Sequence, residues 1–133
     1  MKKLVFFAAL VMITTVSFSQ TAAVTSAPKS EMAVANFDTQ NFDFGKIKVG
    51  VPATHEFTFT NKSKTTMVIS SVNASCGCTT PDWTKDPIPP GGTGFVKATY
   101  NAAGVGAFDK SVTVMANVEG GVVMLRIHGE VVQ

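Results

Sequence analysis

Apolar and polar residues alternate with a period of two along most of this chain, and no helical period lasts longer than a turn. Asn41 to Ile47 alternates and is closed by Gly50-Val51-Pro52, which predicts an edge-type first strand. His55 to Asn61 is the strongest strand signal: Phe57 and Phe59 take the core side and Glu56, Thr58 and Thr60 the water side. Asn61-Lys62-Ser63-Lys64 is a turn. Met67 to Ala74 is apolar on both parities, which predicts a central strand covered on both faces. Asp86 to Gly92 holds Pro87, Pro89 and Pro90, which remove ladder donors and so mark a connecting corner. Val96, Ala98 and Tyr100 alternate with Lys97 and Thr99. Phe108, Val112 and Val114 give the next inward face, Glu119-Gly120 centres a hairpin, and Val123, Leu125 and Ile127 run inward on the last strand. Short strands with a turn signal every eight to twelve residues predict an all-β, antiparallel β-sandwich of about seven strands over residues 37–133.

The first residues change the picture of where this domain works. Lys2 and Lys3 precede an apolar run from Leu4 to Ile13, and Ser17 and Ser19 supply small residues before a cut ahead of Gln20. That is the pattern of a secretory signal peptide, residues 1–19, and the run is shorter than the ~20 residues a membrane span needs. Residues 20–36, rich in Ala, Ser and Thr and without periodicity, read as a flexible linker. Without Lys2 and Lys3, nine basic residues balance nine acidic ones. A neutral, mixed surface argues against nucleic acid or an anionic membrane as the partner. The expectation is an exported protein, periplasmic or secreted, with no membrane span. The sequons Asn61-Lys62-Ser63 and Asn73-Ala74-Ser75 matter only on a eukaryotic secretory route.

The candidate chemistry lies in Ser75-Cys76-Gly77-Cys78-Thr79, which holds both cysteines, with the single tryptophan, Trp83, five residues on. Three readings are open. Cys76 and Cys78 form a disulfide, the reading an oxidising compartment favours, with Gly77 allowing the bend. They form a two-thiolate clip for a soft metal, copper or zinc. Or they are small packed hydrophobes beside a turn glycine. If strands run alternately up and down, His55 and His128 share a pole with both cysteines and complete a metal-ligand set of four. Sheets ~10 Å apart and strands ~4.8 Å apart place the disulfide ahead of it, because the loop would have to fold over to reach both imidazoles.

The set Phe44-Gly45, Phe57-Thr58-Phe59-Thr60-Asn61, Cys76-Gly77-Cys78-Thr79, Pro81-Asp82-Trp83, Pro90-Gly91, Tyr100-Asn101 and Gly129 resembles one bacterial family. Its members are exported domains known only as domain of unknown function 1573 and marked by the Cys-Gly-Cys-Thr motif. The resemblance covers roughly Phe42 to Val131. It implies an immunoglobulin-like fold close to the hydin-type and major sperm protein domains, an exported address, and a tendency toward interaction modules. It implies no reaction.

No Gly-x-Ser-x-Gly elbow and no His-Glu-x-x-His helix occurs, so the expectation is no enzyme, no catalytic residues and no required cofactor. Trp83 reads as a core or corner plug, or as a binding platform. The expected hairpin sets Met115 and Met124 opposite one another on the parity that Val114 and Leu125 leave free, a soft partner surface unless the linker or a neighbouring strand covers it. The functional expectation is an exported binding or scaffolding module with an unidentified protein partner in the cell envelope. The alternatives are a periplasmic soft-metal site and a thiol–disulfide participant, both built on the cysteine corner.

Overall fold

The computed structural model describes residues 31–133. The expected signal peptide and residues 20–30 of the expected linker lie outside the described residues. Eight strands run in order: β1 (Ala35–Phe37), β2 (Asn41–Lys48), β3 (Ala53–Asn61), β4 (Ile69–Ala74), β5 (Thr79–Trp83), β6 (Thr93–Tyr100), β7 (Gly106–Ala116) and β8 (Val122–Val132). They form two four-stranded sheets in the orders β1-β3-β6-β5 and β2-β8-β7-β4. Among the described residues there is no helix.

The alternating residues face each other between the sheets. Phe57, Val96, Ala98, Val112, Val114, Leu125, Ile127 and Val131 are wholly buried, with Phe59 at their end. Each large side chain among them contributes about 1.5–3 kcal/mol by leaving water.

Four details differ from the sequence pattern. The end of the expected linker is ordered structure: Ala33 is buried and bridges Val118, and Ala35 and Asn36 pair with Asn61 and Thr60 in β1. These small residues tuck into the sandwich edge, so the folded unit begins ahead of residue 37. β1 and β5 are both strands that the alternation did not pick out, which brings the count to eight against the expected seven or so.

Second, β2 pairs with β8 in parallel, whereas the other named strand pairs are antiparallel. Asp38–Gln40 carries the chain from the first sheet to the second, which lays β2 alongside the last strand instead of against its sequence neighbour. The ladder is interrupted between Asp43 and Lys46 by a bulge, where Gly45 has φ +64 and its N–H is held by the Asp43 carboxylate at 2.8 Å. Gly129 faces this bulge. A Cβ there would lie 2.8 Å from the Gly45 carbonyl oxygen and 3.0 Å from the Phe108 ring, so the close approach needs glycine.

Third, Met67–Ala74 is not a central strand. Met67 bridges Ile88 across the sandwich end, and β4 is the edge of its sheet. A register shift between Ile69 and Ser71 turns Ile69 and Val72 inward from opposite parities. A bulge, and not cover on both faces, accounts for the apolar pattern.

Fourth, the β7–β8 register is offset by one residue although Glu119-Gly120 does form the turn: the Ala116 N–H donates to the Gly121 carbonyl at 3.1 Å, which leaves Asn117 as an extra residue on the β7 side. Met115 pairs with Val122 and Thr113 with Met124. The Gly121 N–H donates to the Val118 carbonyl at 2.9 Å, closing a β-turn whose Gly120 has φ +75, a conformation that favours glycine.

One buried polar residue joins several of these parts. Asn61, at the end of β3, is wholly buried. Its amide donates to the carbonyls of Thr65 at 2.8 Å and Ile88 at 3.0 Å, and its oxygen accepts from the Ser63 N–H at 3.1 Å and hydroxyl at 2.7 Å. Its main-chain N–H donates to Gly92, and its carbonyl accepts from Gly91, each at 2.8 Å. In the folded state Asn61 is therefore closed to glycosylation, whereas Asn73 is exposed.

Removing this side chain takes one of two donors from each carbonyl, leaving Ile88 bonded to the Met67 N–H and Thr65 to the Ser63 hydroxyl, strips the Ser63 turn of its acceptor and opens a cavity in the corner. Asn61→Ala is expected to lower unfolding free energy by about 3 kcal/mol. Asn61→Asp should cost a similar amount, because a carboxylate cannot donate to either carbonyl. Urea denaturation of both variants measures this; a loss below about 1 kcal/mol would show that the network does not hold the turn.

Candidate functional site

The loop Ser75–Cys78 joins β4 to β5, which are edge strands of opposite sheets, so it is the crossover at one side of the sandwich. Its backbone has anchors besides the sulfurs. The Ser75 N–H donates to Ser111 at 2.9 Å, the Ser111 N–H to the Ser75 hydroxyl at 3.2 Å, and the Asn101 N–H to Cys78 at 2.9 Å. The Cα atoms of Cys76 and Cys78 are 5.3 Å apart and their sulfurs lie within disulfide-bonding distance. Both side chains are half-buried; Cys78 packs against the core. The Cys76 sulfur is 3.9 Å from the Thr79 hydroxyl. Gly77 lies outside the left-handed region, and a Cβ there would meet nothing within 4 Å. The bend therefore does not require glycine; its absent side chain leaves the corner open to solvent.

The two histidines are not brought to the cysteines. His55 points between the sheets near the β2 edge, stacked on Phe42 at 3.5 Å between ring centroids and edge-on to Phe57 at 4.6 Å. β6 separates its strand from β5. Its Nε2 is buried without a hydrogen-bond partner, and burial holds its pKa below the ordinary histidine value, partly offset by Glu56. His128 lies on the outer face of the second sheet, its Nε2 3.7 Å from the Asp43 carboxylate. Parity decides the matter: His55 shares the inward side with Phe57, and His128 takes the outward side opposite to Ile127. Among the described residues, no three His, Cys, Asp or Glu side chains are grouped to hold a metal ion. The four-ligand set of His55, Cys76, Cys78 and His128 is not assembled.

Trp83, on edge strand β5, is half-buried against the core, and the Lys85 ammonium sits 3.0 Å from its ring centroid. One face is thus a plug and the other carries a cation. Met115 and Met124 share the outer face of the β7–β8 hairpin but as diagonal neighbours, because the extra residue Asn117 offsets the register by one. They are 44% and 63% exposed, and Val122 beside them is 49% exposed. The same sheet face becomes charged toward its other end, where Arg126 grips Asp109 and His128 neighbours Asp43. The Arg126 hydrogen bond lowers the Asp109 pKa.

The family model for proteins of unknown function, DUF1573, matches residues 35–131. The chain belongs to the DUF1573 family. That span takes in the cysteine corner, both histidines, Trp83 and the methionine hairpin of this DUF1573 domain. No curated protein matches it. Its fold is similar to that of a protein of unknown function from Porphyromonas gingivalis W83, at TM-score 0.68 and 14% identity, covering 81% of this chain and 51% of that one. The chain thus spans about half the length of that protein. The human CEP192 ASH/PapD-like domain 7 is also similar, at TM-score 0.64 and 9% identity, covering 80% of this chain and 92% of that one. The secreted serine protease VesC from Vibrio cholerae matches at TM-score 0.58 and 15% identity, over 73% of this chain and 23% of VesC. At these identities the likeness is one of fold. The DUF1573 domain is an immunoglobulin-like β-sandwich.

Reading the sequence missed the unpartnered His55 nitrogen and the buried Asn61. The signal for His55 was its parity with Phe57 and Phe59, which placed an imidazole on an inward row.

A half-buried His55 whose Nε2 is shut from water makes stability depend on pH. Its folded pKa is depressed, so the unfolded chain binds the proton first. Stability is complete above the ordinary value of about 6.5 and falls as pH drops through the depressed folded value. Asp109 acts in the same direction but only below the carboxylate range. Between about pH 7 and about pH 5 the denaturation midpoint should fall, and His55→Phe should flatten that slope. An unchanged slope in the variant would place the proton uptake elsewhere.

Proposed function

We propose that this domain is an exported, non-catalytic binding or scaffolding module of the cell envelope, periplasmic or secreted, whose partner is a protein. The observation that carries this reading is the contrast between its two outer faces. On the first sheet the outward residues are mostly polar and paired with one another: Thr54 bonds Thr99 at 2.8 Å and Lys97 faces Glu56 at 3.4 Å, while Phe95 on the same face is half-buried, with the Lys97 ammonium 5.4 Å from its ring. On the second sheet Met115, Val122 and Met124 lie exposed together, with a charged row of Asp43, Asp109, Arg126 and His128 beyond them. An adaptable apolar centre with a charged border is the makeup of a protein interface, and methionine suits it because its unbranched thioether moulds to its neighbour.

The histidines support the absence of catalysis. His55 Nε2 is shut between aromatic rings and His128 Nε2 faces a carboxylate, so neither is set against a hydroxyl or thiol nucleophile. The likeness to VesC extends over 23% of that protein and is one of fold. No helix among the described residues is long and apolar enough to cross a membrane. The balanced charge of the chain beyond its leader gives nucleic acid no basic surface to bind. The separated histidines leave copper or zinc no four-ligand site, so the proposal includes no metal cofactor.

A photo-crosslinking residue placed at Met124 in cells exporting the protein should yield a discrete adduct with an envelope protein. The same residue at Thr58, on the outward face of the other sheet, should not. Met115→Lys with Met124→Lys should abolish the adduct formed from a crosslinker at Val122, while unfolding free energy changes by less than about 0.5 kcal/mol per site. Adducts from both faces alike, or an adduct indifferent to the lysines, would remove the methionine surface from the reading.

A further inference from the structure

The cysteine corner carries a second role, beyond that of the methionine face. We propose that Cys76 and Cys78 form an exchangeable dithiol–disulfide site, in which Cys76 meets the external thiol or disulfide and Cys78 resolves the mixed disulfide. The partner chemistry is a dithiol or disulfide of the exported compartment.

Four features lead there. The pair closes a loop with one intervening residue, so the bond removes little entropy from the unfolded chain and is a poor staple. The loop backbone has anchors besides the bond, the Ser75–Ser111 and Asn101–Cys78 hydrogen bonds. The open space around Gly77 gives an external reactant access, which edge strands β4 and β5 do not close off. And the two sulfurs differ. Cys78 packs against the core, whereas Cys76 stands off it beside the Thr79 hydroxyl at 3.9 Å. Once the pair is reduced, that hydroxyl can donate to a Cys76 thiolate, whereas Cys78 lies against apolar side chains and is the less accessible of the two.

In the reducing direction, a thiolate of an external dithiol attacks Cys76 Sγ, the Cys76–Cys78 bond breaks, and Cys78 leaves as a thiolate and takes up a proton. The second external thiol then attacks the mixed disulfide and releases Cys76. The pair has gained two electrons and two protons, and the external dithiol leaves as a disulfide. In the oxidising direction the path is retraced: Cys76 attacks the external disulfide and Cys78 displaces the leaving thiol. Both directions pass through the same mixed disulfide at Cys76.

Three measurements on the purified chain test this. After reduction, pulse alkylation with iodoacetamide mapped by mass should label Cys76 at least about tenfold faster than Cys78. With oxidised glutathione, Cys78→Ser should form its mixed disulfide faster than Cys76→Ser by a similar factor. Thr79→Val should reduce the Cys76 advantage, and Thr79→Ser should restore it. Urea midpoints of the oxidised and reduced chain should coincide, which needs no variant to fold. Equal or reversed labelling, or an advantage unmoved by Thr79→Val, would overturn the assignment of roles. Unfolding on reduction would make the bond a structural staple and overturn the proposal itself.

Discussion

A single buried amide ties the chain's turns to its sheets. Asn61 sits where β3 ends, where β1 begins its pairing, and where the Ile88–Gly92 corner returns toward β6. An amide withdrawn from water costs free energy unless both its ends are bonded. Here donors and acceptors are both occupied, by Thr65 and Ile88 on one side and Ser63 on the other. The same burial that makes the residue costly also makes the turn single-valued, since any other turn conformation leaves those groups unpaired. From this anchor β3 runs down the centre of its sheet and delivers Phe59 and Phe57 to the core.

The opposite wall is held differently. β8 is paired on both sides, antiparallel to β7 and parallel to β2, and supplies Leu125, Ile127 and Val131 to the core. Where β2 leans across to β3, Phe42 lies flat on His55. Burial there disfavours the charged imidazole, so the seam between the two sheets is firmest at neutral pH. The cysteine crossover lies at the other side of the sandwich, away from this seam, and the two can respond to acid and to thiols independently.

Local alternation made most of the core legible. Phe57, Phe59, Val112, Val114, Leu125 and Ile127 are expected inward because each lies on a row with period two, and all are buried. What the rows do not carry is which strand lies beside which. β2 pairs with β8, some eighty residues away, and nothing in Asn41–Lys48 distinguishes a parallel partner from an antiparallel one. Ile69 and Val72 look like a two-faced strand because a bulge and a central position leave the same mark on apolar pattern. The Val118–Gly121 hydrogen bond puts Glu119-Gly120 in the turn as the sequence indicates, but the Ala116–Gly121 bond leaves Asn117 as an extra residue on one side, and the alternation of apolar and polar residues does not mark that offset. At the site, strand parity separates His55 from His128, whereas grouping residues by the pole of the sandwich weighs ends above faces. Asn61 reads as a turn residue, since a buried amide and a surface one have the same letter.

The parallel pairing of β2 with β8 has a mechanical consequence. Ala33 and the start of β1 lie at the end of the sandwich that holds the Val118–Gly121 turn, while β8 finishes at Val132 beside Lys48, at the other end. Tension applied between these two points would draw β2 and β8 past each other along their length. Their hydrogen bonds would then share the load in shear rather than open one at a time like a zipper. The rate of forced unfolding is governed by that barrier and not by equilibrium stability. A domain so wired can stand as a taut link when pulled from its two ends.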